Sequence, residues 1–115
     1  MLRKYRIISV GSKKRLLIDF EDEKYEILSI FLESDVIPFE EWVKERFSKV
    51  LSGESQYEEV NGNVCGAEIN SQTTKISDNL AYDGEGASCI VDTKELYEII
   101  VEWCEKVKEF LDENP

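Results

Sequence analysis

At 115 residues, with 42% hydrophobic and 34% charged residues, the chain has the size and composition of one folded domain with a single core. It contains no histidine, which removes Ser–His and Cys–His nucleophile pairs, histidine bases and histidine metal ligands. The formal net charge is −11 and is unevenly placed: residues 1–15 hold Arg3, Lys4, Arg6, Lys13, Lys14 and Arg15 and no acid, so their +6 leaves −17 on residues 16–115.

The chain opens on a basic N-terminus, residues 1–10, of which 5–10 are β-rich. Gly11-Ser12-Lys13-Lys14 is a turn signal, and residues 15–20 are again apolar, so a hairpin is expected. The N-terminus lacks a long apolar run with a cleavage site, so no signal peptide is read and the cytoplasm is the expected compartment. After Glu21-Asp22-Glu23 comes an apolar run, Tyr25, Ile27, Leu28, Ile30, Phe31 and Leu32. Residues 24–33 fit a helix or a buried strand equally, because a short apolar run does not settle the period.

Asp35-Val36-Ile37-Pro38 reads as the start of a helix, with proline in the first turn where its missing amide costs nothing. Phe39, Trp42, Val43, Phe47, Val50 and Leu51 form its apolar stripe, and Gly53 can end it. Glu40 and Glu41 lie in its first turn, where the helix dipole favours carboxylates. Glu54-Ser55-Gln56 is a linker. Residues 57–60 and 64–69 then flank Asn61-Gly62, a hairpin signal because both residues tolerate positive φ. Residues 70–73 form a second turn, 74–77 a short strand, 78–86 a polar loop, and 87–91 a return to the sheet.

The last stretch, 92–111, carries Leu96, Ile99, Ile100, Trp103, Cys104, Val107, Phe110 and Leu111 at helical steps of three and four. Glu98, Glu102, Glu105, Lys106, Lys108 and Glu109 occupy the other face. Asp92 or Thr93 can accept from the first free amides, and Glu95 follows Asp92 by three as in a capping box. The expected architecture is α+β: one domain, 1–115, with a small antiparallel sheet of hairpins packed on one face by two or three amphipathic helices, the C-terminal one long. No window approaches a membrane-spanning length of apolar residues.

Cys65, Cys89 and Cys104 are widely spaced among apolar neighbours, which fits buried reduced thiols; a Cys65–Cys89 bridge requires that their strands pair. The six glycines form neither a P-loop nor a dinucleotide fingerprint, and three dispersed cysteines are a poor zinc site. Adjacent Glu58 and Glu59 in a strand point to opposite faces and cannot converge on Mg²⁺ or a substrate. The loop from Asp78 to Asp83-Gly84-Glu85 lacks the acid spacing of an EF-hand. No catalytic residue, metal or cofactor is expected, and the chain is read as a non-enzymatic binder.

A −11 surface repels phosphate backbones, so direct nucleic-acid binding is not expected; it attracts a basic protein and speeds the encounter. Charge and loop position nominate Glu54, Glu58, Glu59, Asp78, Tyr82, Asp83 and Glu85 as partner-binding residues. Tyr82 among acids has the character of an interface anchor, or of a tyrosine folded back on the sheet.

Three segments in order suggest a family. Phe39-Glu40-Glu41-Trp42-Val43 leads a helix ending at Gly53. A meander of the form Tyr57…Gly62-Asn63-Val64-Cys65…Glu68-Ile69…Ile76 follows. Ser88-Cys89-Ile90-Val91-Asp92-Thr93-Lys94-Glu95-Leu96 then runs into the last helix. Over residues 35–111 the chain resembles the small acidic immunity proteins of bacterial contact-dependent growth inhibition and related polymorphic toxin systems; the basic hairpin lies outside the resemblance. The resemblance implies an antidote that binds a cognate toxin domain, often a nuclease, and covers its active site. The other reading is a cytoplasmic interaction or regulatory domain with a cellular partner. A monomer or weak homodimer is expected, the N-terminal edge strand being a place where two copies can pair.

Overall fold

Eight residues on either side of a Gly-Ser turn build the first element of the computed structural model, which describes residues 1–80 and 86–115. Strand β1 (Arg3–Val10) pairs antiparallel with β2 (Lys13–Phe20), and Val10 lies opposite Lys13. The link is therefore only Gly11-Ser12. Gly11 takes φ +63° while Ser12 does not enter positive φ, the pattern of a type II′ turn whose twist suits a hairpin. This hairpin is a sheet of its own. It is fixed to the body by Ile18, which is fully buried, and by Tyr5, whose ring lies parallel to Trp103 at 6.2 Å between centroids.

Residues 24–33 resolve as helical. A 3₁₀ turn (Glu23–Tyr25) leads into α1 (Glu26–Phe31), which continues as a π-helical turn (Leu32–Val36). Ile27, Leu28, Phe31 and Leu32 are buried, a one-sided stripe at helical spacing. The second long helix begins later than the sequence suggests: α2 runs Glu40–Leu51, and residues 35–38 belong to the π turn and its connection. The cause is Asp35. Its side chain is fully buried and turned towards another loop, so it is not free to cap α2. Glu40 and Glu41 do occupy the first turn of α2, and Gly53, at φ +82°, follows its last turn.

Four strands then form an antiparallel meander in sequence order: β3 (Tyr57–Asn61), β4 (Cys65–Asn70), β5 (Thr73–Asp78) and β6 (Ser88–Asp92). The β3–β4 turn differs from the expected one. Asn61 is still in the ladder opposite Gly66, and neither Asn61 nor Gly62 has positive φ. The Gly62 amide donates to the Cys65 carbonyl at 2.9 Å, closing a longer loop. The loop is shaped from below by the Asp35 carboxylate, which accepts from the amides of Asn63 (2.5 Å), Val64 (3.1 Å) and Cys65 (2.8 Å).

One face of the meander, with Val60, Cys65, Ala67, Ile69, Ile76, Cys89 and Val91, is buried under the three helices. The long helix α3 (Thr93–Glu113) starts directly from β6, and Asp92 Oδ1 accepts from the Glu95 amide at 2.8 Å. The reciprocal half of the capping box is not made; the Glu95 carboxylate binds the Met1 ammonium at 2.8 Å instead. Thr93 anchors the helix start. Its hydroxyl donates to the Asn70 carbonyl at 2.6 Å and lies 2.8 Å from the Thr74 hydroxyl, so both buried threonines are satisfied. Leu96, Ile99, Ile100, Trp103, Cys104 and Phe110 are buried as their spacing predicts, while Leu111 is exposed. Glu102, on the expected polar face, is drawn to the hairpin by Arg3 at 2.8 Å and by the Tyr5 hydroxyl. No helix among the described residues is long and apolar enough to cross a membrane.

Candidate functional site

Alternation along the strands turns the second face of the meander away from the helices, and no described element covers it. Across its middle run Glu59, Glu68, Lys75 and Ile90, each directly opposite the next. One row away stand Tyr57, Asn70, Thr73 and Asp92; on the other side stand Asn61, Gly66, Ser77 and Ser88. Tyr57 is 42% exposed and Ile90 64%, large apolar surface for side chains in the interior of a sheet. Among the described residues no helix packs on this side, although three pack on the other.

Two features separate this face from ordinary solvated sheet. Glu59 and Glu68 sit opposite each other on neighbouring strands, an arrangement of like charges that costs a few tenths of a kcal/mol or more, about 0.2–1. Among the described residues neither carboxylate has an ion-pair partner within bonding distance. Tyr57 lies beside them, and partial desolvation together with the Glu59 and Glu68 carboxylates pushes its phenol up to about 12. It is therefore a neutral hydrogen-bond donor throughout the physiological range. At one margin the Asn79 amide donates to the Asn61 side chain at 3.1 Å. This bridge passes over Gly66, where a Cβ would lie 2.9 Å from both side chains.

The residues nominated from sequence fall in different places. Glu59 is on the open face. Glu54 is exposed just after α2. Glu58 points to the opposite side, half-buried, where Arg46 Nη1 holds it at 2.7 Å. Asp78 lies opposite Cys65 on the core side of β5, and its Oδ1 accepts from the Leu80 amide at 2.8 Å. Tyr82, Asp83 and Glu85 lie outside the described residues. Glu68, Lys75, Ile90 and Tyr57 were not nominated. Period-two alternation in 57–61 and 65–70 is the signal that places Tyr57, Glu59 and Glu68 on one side.

Among the described residues no three or more Asp, Glu, Cys or His side chains gather as a metal site. The thiols are poor nucleophiles: burial pushes Cys65 and Cys104 up to about 12 and Cys89 to about 11. All three are free. A Cys65–Cys89 bridge is ruled out by topology, because β5 lies between their strands. What the face can do is present an acidic, aromatic-bearing surface to another protein.

No family model and no solved structure matches the chain. A curated protein of Bacillus cereus named "Immunity protein" is 42% identical over 88 residues, which cover 76% of this chain and 75% of that relative.

Proposed function

The chain belongs to the immunity proteins, and from that premise we propose that it neutralises a cognate bacterial toxin domain by laying the open face of its meander over the toxin's substrate-binding surface. The observation that carries this reading is the uncovered row from Glu59 through Glu68, with Tyr57 beside it. Two carboxylates set opposite each other, only one of them with a lysine (Lys75) across from it, and a half-exposed aromatic beside them make a surface suited to a basic partner.

The toxin that best fits this face is a nuclease of a contact-dependent growth inhibition or related system. A nuclease needs a cationic groove for its phosphate backbone, and −17 on residues 16–115 supplies a protein mimic of that substrate. Protection then requires no catalysis, metal or cofactor from this chain. It acts where the incoming toxin acts, in the cytoplasm.

Co-expression with the product of the adjacent reading frame, scored by growth and by pull-down, tests the reading. A tight complex and rescued growth are expected, and Glu59→Lys with Glu68→Lys should weaken rescue without unfolding the protein. No complex and no rescue would overturn the toxin reading. Rescue that survives both reversals would move the interface off this face.

A further inference from the structure

We propose that the open face of the meander is a site in two halves of opposite character, and that Lys75 with Ile90 forms the second half, which takes a carboxylate beside an apolar side chain on the toxin and so fixes the toxin's orientation. This rests on the reading that the face meets a toxin, and it names what the toxin must carry there.

The phase of the ladder divides the central row. Facing residues in an antiparallel pair alternate between bonded positions, with Cα atoms about 5.5 Å apart, and non-bonded positions about 4.5 Å apart, where side chains lie closer. The Gly62 amide donates to the Cys65 carbonyl at 2.9 Å, and bonded pairs recur every two residues, so Glu59 and Glu68 face each other at a close position. The Asn79 amide donates to the Val64 carbonyl at 2.9 Å, which makes Glu68 and Lys75 a bonded, wide pair. The Asp78 amide donates to the Ala87 carbonyl at 3.0 Å, which returns Lys75 and Ile90 to a close position. The row is therefore two close couples, Glu59 with Glu68 and Lys75 with Ile90, and the wide spacing falls between them.

Ion pairing follows the same division. Glu68 stands directly opposite Lys75, yet among the described residues Lys75 makes no salt bridge. Its other neighbours on this face are Thr73 and Ser77 along its strand and, on the diagonals, Gly66, Asn70, Ser88 and Asp92. Asp92 is the one acid among these, and its carboxylate accepts from the Glu95 amide at the start of α3. Lys75 is exposed, as Ile90 is.

Charge selects the occupant. A uniformly cationic groove, suited to a phosphate backbone, satisfies Glu59 and Glu68 but meets the Lys75 ammonium one strand further on, about 5 Å away. That is inside the Debye length of about 8 Å at physiological salt, so screening does not remove the repulsion. The toxin surface must change sign between β4 and β5. A carboxylate there answers Lys75, and an apolar side chain beside it covers Ile90, 64% exposed. Turning the toxin end over end would set like charges together in both halves, so only one orientation engages the whole row.

Binding of the adjacent reading frame's product to Lys75 variants, followed by surface plasmon resonance, tests this by the sign of the effect. If the face were only a phosphate mimic, Lys75→Glu would extend the acidic row and tighten the complex. The two-part site requires the reverse. Lys75→Glu should raise Kd by about ten-fold or more, Lys75→Arg should stay within about two-fold of wild type, and Ile90→Ser should raise Kd by about five-fold. Both positions are exposed, so the variants should stay folded. Reversing the toxin's Asp and Glu residues to Lys one at a time should find one that restores binding to Lys75→Glu and weakens binding to wild type. Unchanged or tighter binding by Lys75→Glu overturns the inference, and leaves the toxin reading standing when Glu59→Lys with Glu68→Lys still weakens the same complex. A loss that no toxin reversal restores also overturns it, because Lys75 then answers no carboxylate. Absence of any complex removes the toxin reading and this inference together.

Discussion

The backbone of Gly62 lies against the carboxylate of Asp35, so close that a Cβ on Gly62 would sit 2.5 Å from Asp35 Cγ. The contact follows from the amides of Asn63, Val64 and Cys65 converging on a fully buried anion, 28 to 30 residues away in sequence. Gly62 is therefore required by close approach, not by a left-handed turn. Gly62→Ala should cost about 2–3 kcal/mol, since the obstacle is a pinned group. Asp35→Asn keeps the volume but aims an NH₂ at amide donors, and should cost about 2 kcal/mol. Urea unfolding followed by tryptophan fluorescence measures both. If either variant is within about 0.5 kcal/mol of wild type, the loop is not built around this carboxylate.

Trp103 makes the corresponding link for α3. Its ring is 1% exposed, stacked on Tyr5, and its indole N–H donates to the Leu32 carbonyl at 2.8 Å. Helix α3, the π turn and the hairpin therefore meet at one side chain. Trp103→Phe removes the donor and leaves a gap, for an expected loss of about 2–3 kcal/mol. Leu111→Ala, exposed near the end of the same helix, should cost less than about 0.5 kcal/mol.

The helices of this fold are legible in the sequence wherever apolar spacing alone decides them, and α3 is the clearest case. What the sequence hides depends on Asp35, an acid that reads as a surface helix start and is in fact buried. A two-residue Asn61-Gly62 turn would set Glu59 opposite Val64. The longer loop held by Asp35 sets Glu59 opposite Glu68 instead. Single-strand alternation could sort side chains onto faces, but the partner across the strand needed the loop length. The like-charge pair at the heart of the candidate site was invisible for that reason. Glu58 shows the converse: its charge was obvious, and its commitment to Arg46 on α2 was not.

The thiols give a direct test of the core. Cys65, Cys89 and Cys104 are buried, free and held well above the ordinary thiol range by desolvation. A thiol reagent at pH 8 should leave the native protein essentially unlabelled, with rates suppressed about 100-fold or more relative to the unfolded chain. Three thiols should then titrate in denaturant. Rapid native labelling of Cys104 would mean that the α2–α3 contact opens.

Acid should act on two carboxyls with opposite sign. Burial, outweighing the Ile18 amide and Arg15, raises Glu33 above the ordinary carboxyl range. Its ionised form is thus disfavoured in the fold, and the cost appears as pH rises through that raised value. Glu102 is lowered by the Tyr5 hydroxyl and Arg3, so its contribution is present above the unfolded value near pH 4 and is lost as pH falls through the folded one. Glu33→Gln retains an acceptor for Ile18 and should raise the melting temperature at pH 7 by up to a few degrees, about 1–4 °C. The gain should vanish near pH 4. A loss of stability at pH 7 would mean that the charge-assisted bond to Ile18 outweighs burial.

Charge and contact should separate cleanly in the kinetics of the toxin complex. Glu59 and Glu68 act at a distance, by steering a basic partner, so Glu59→Lys with Glu68→Lys should lower the association rate by about ten-fold or more at low salt. Near 0.5 M salt, where screening is shorter than about 5 Å, that difference should largely close. Tyr57 acts only on contact. Its ring is open to water in the free protein and carries a neutral hydroxyl, the features of an anchor that becomes buried on binding. Tyr57→Ala should leave association unchanged and speed dissociation by about 30-fold, the equivalent of about 2 kcal/mol. Surface plasmon resonance at two salt concentrations resolves both effects. Loss of association rate in Tyr57→Ala, or salt-independent loss in the double reversal, would mean that these side chains shape the fold and do not face the toxin.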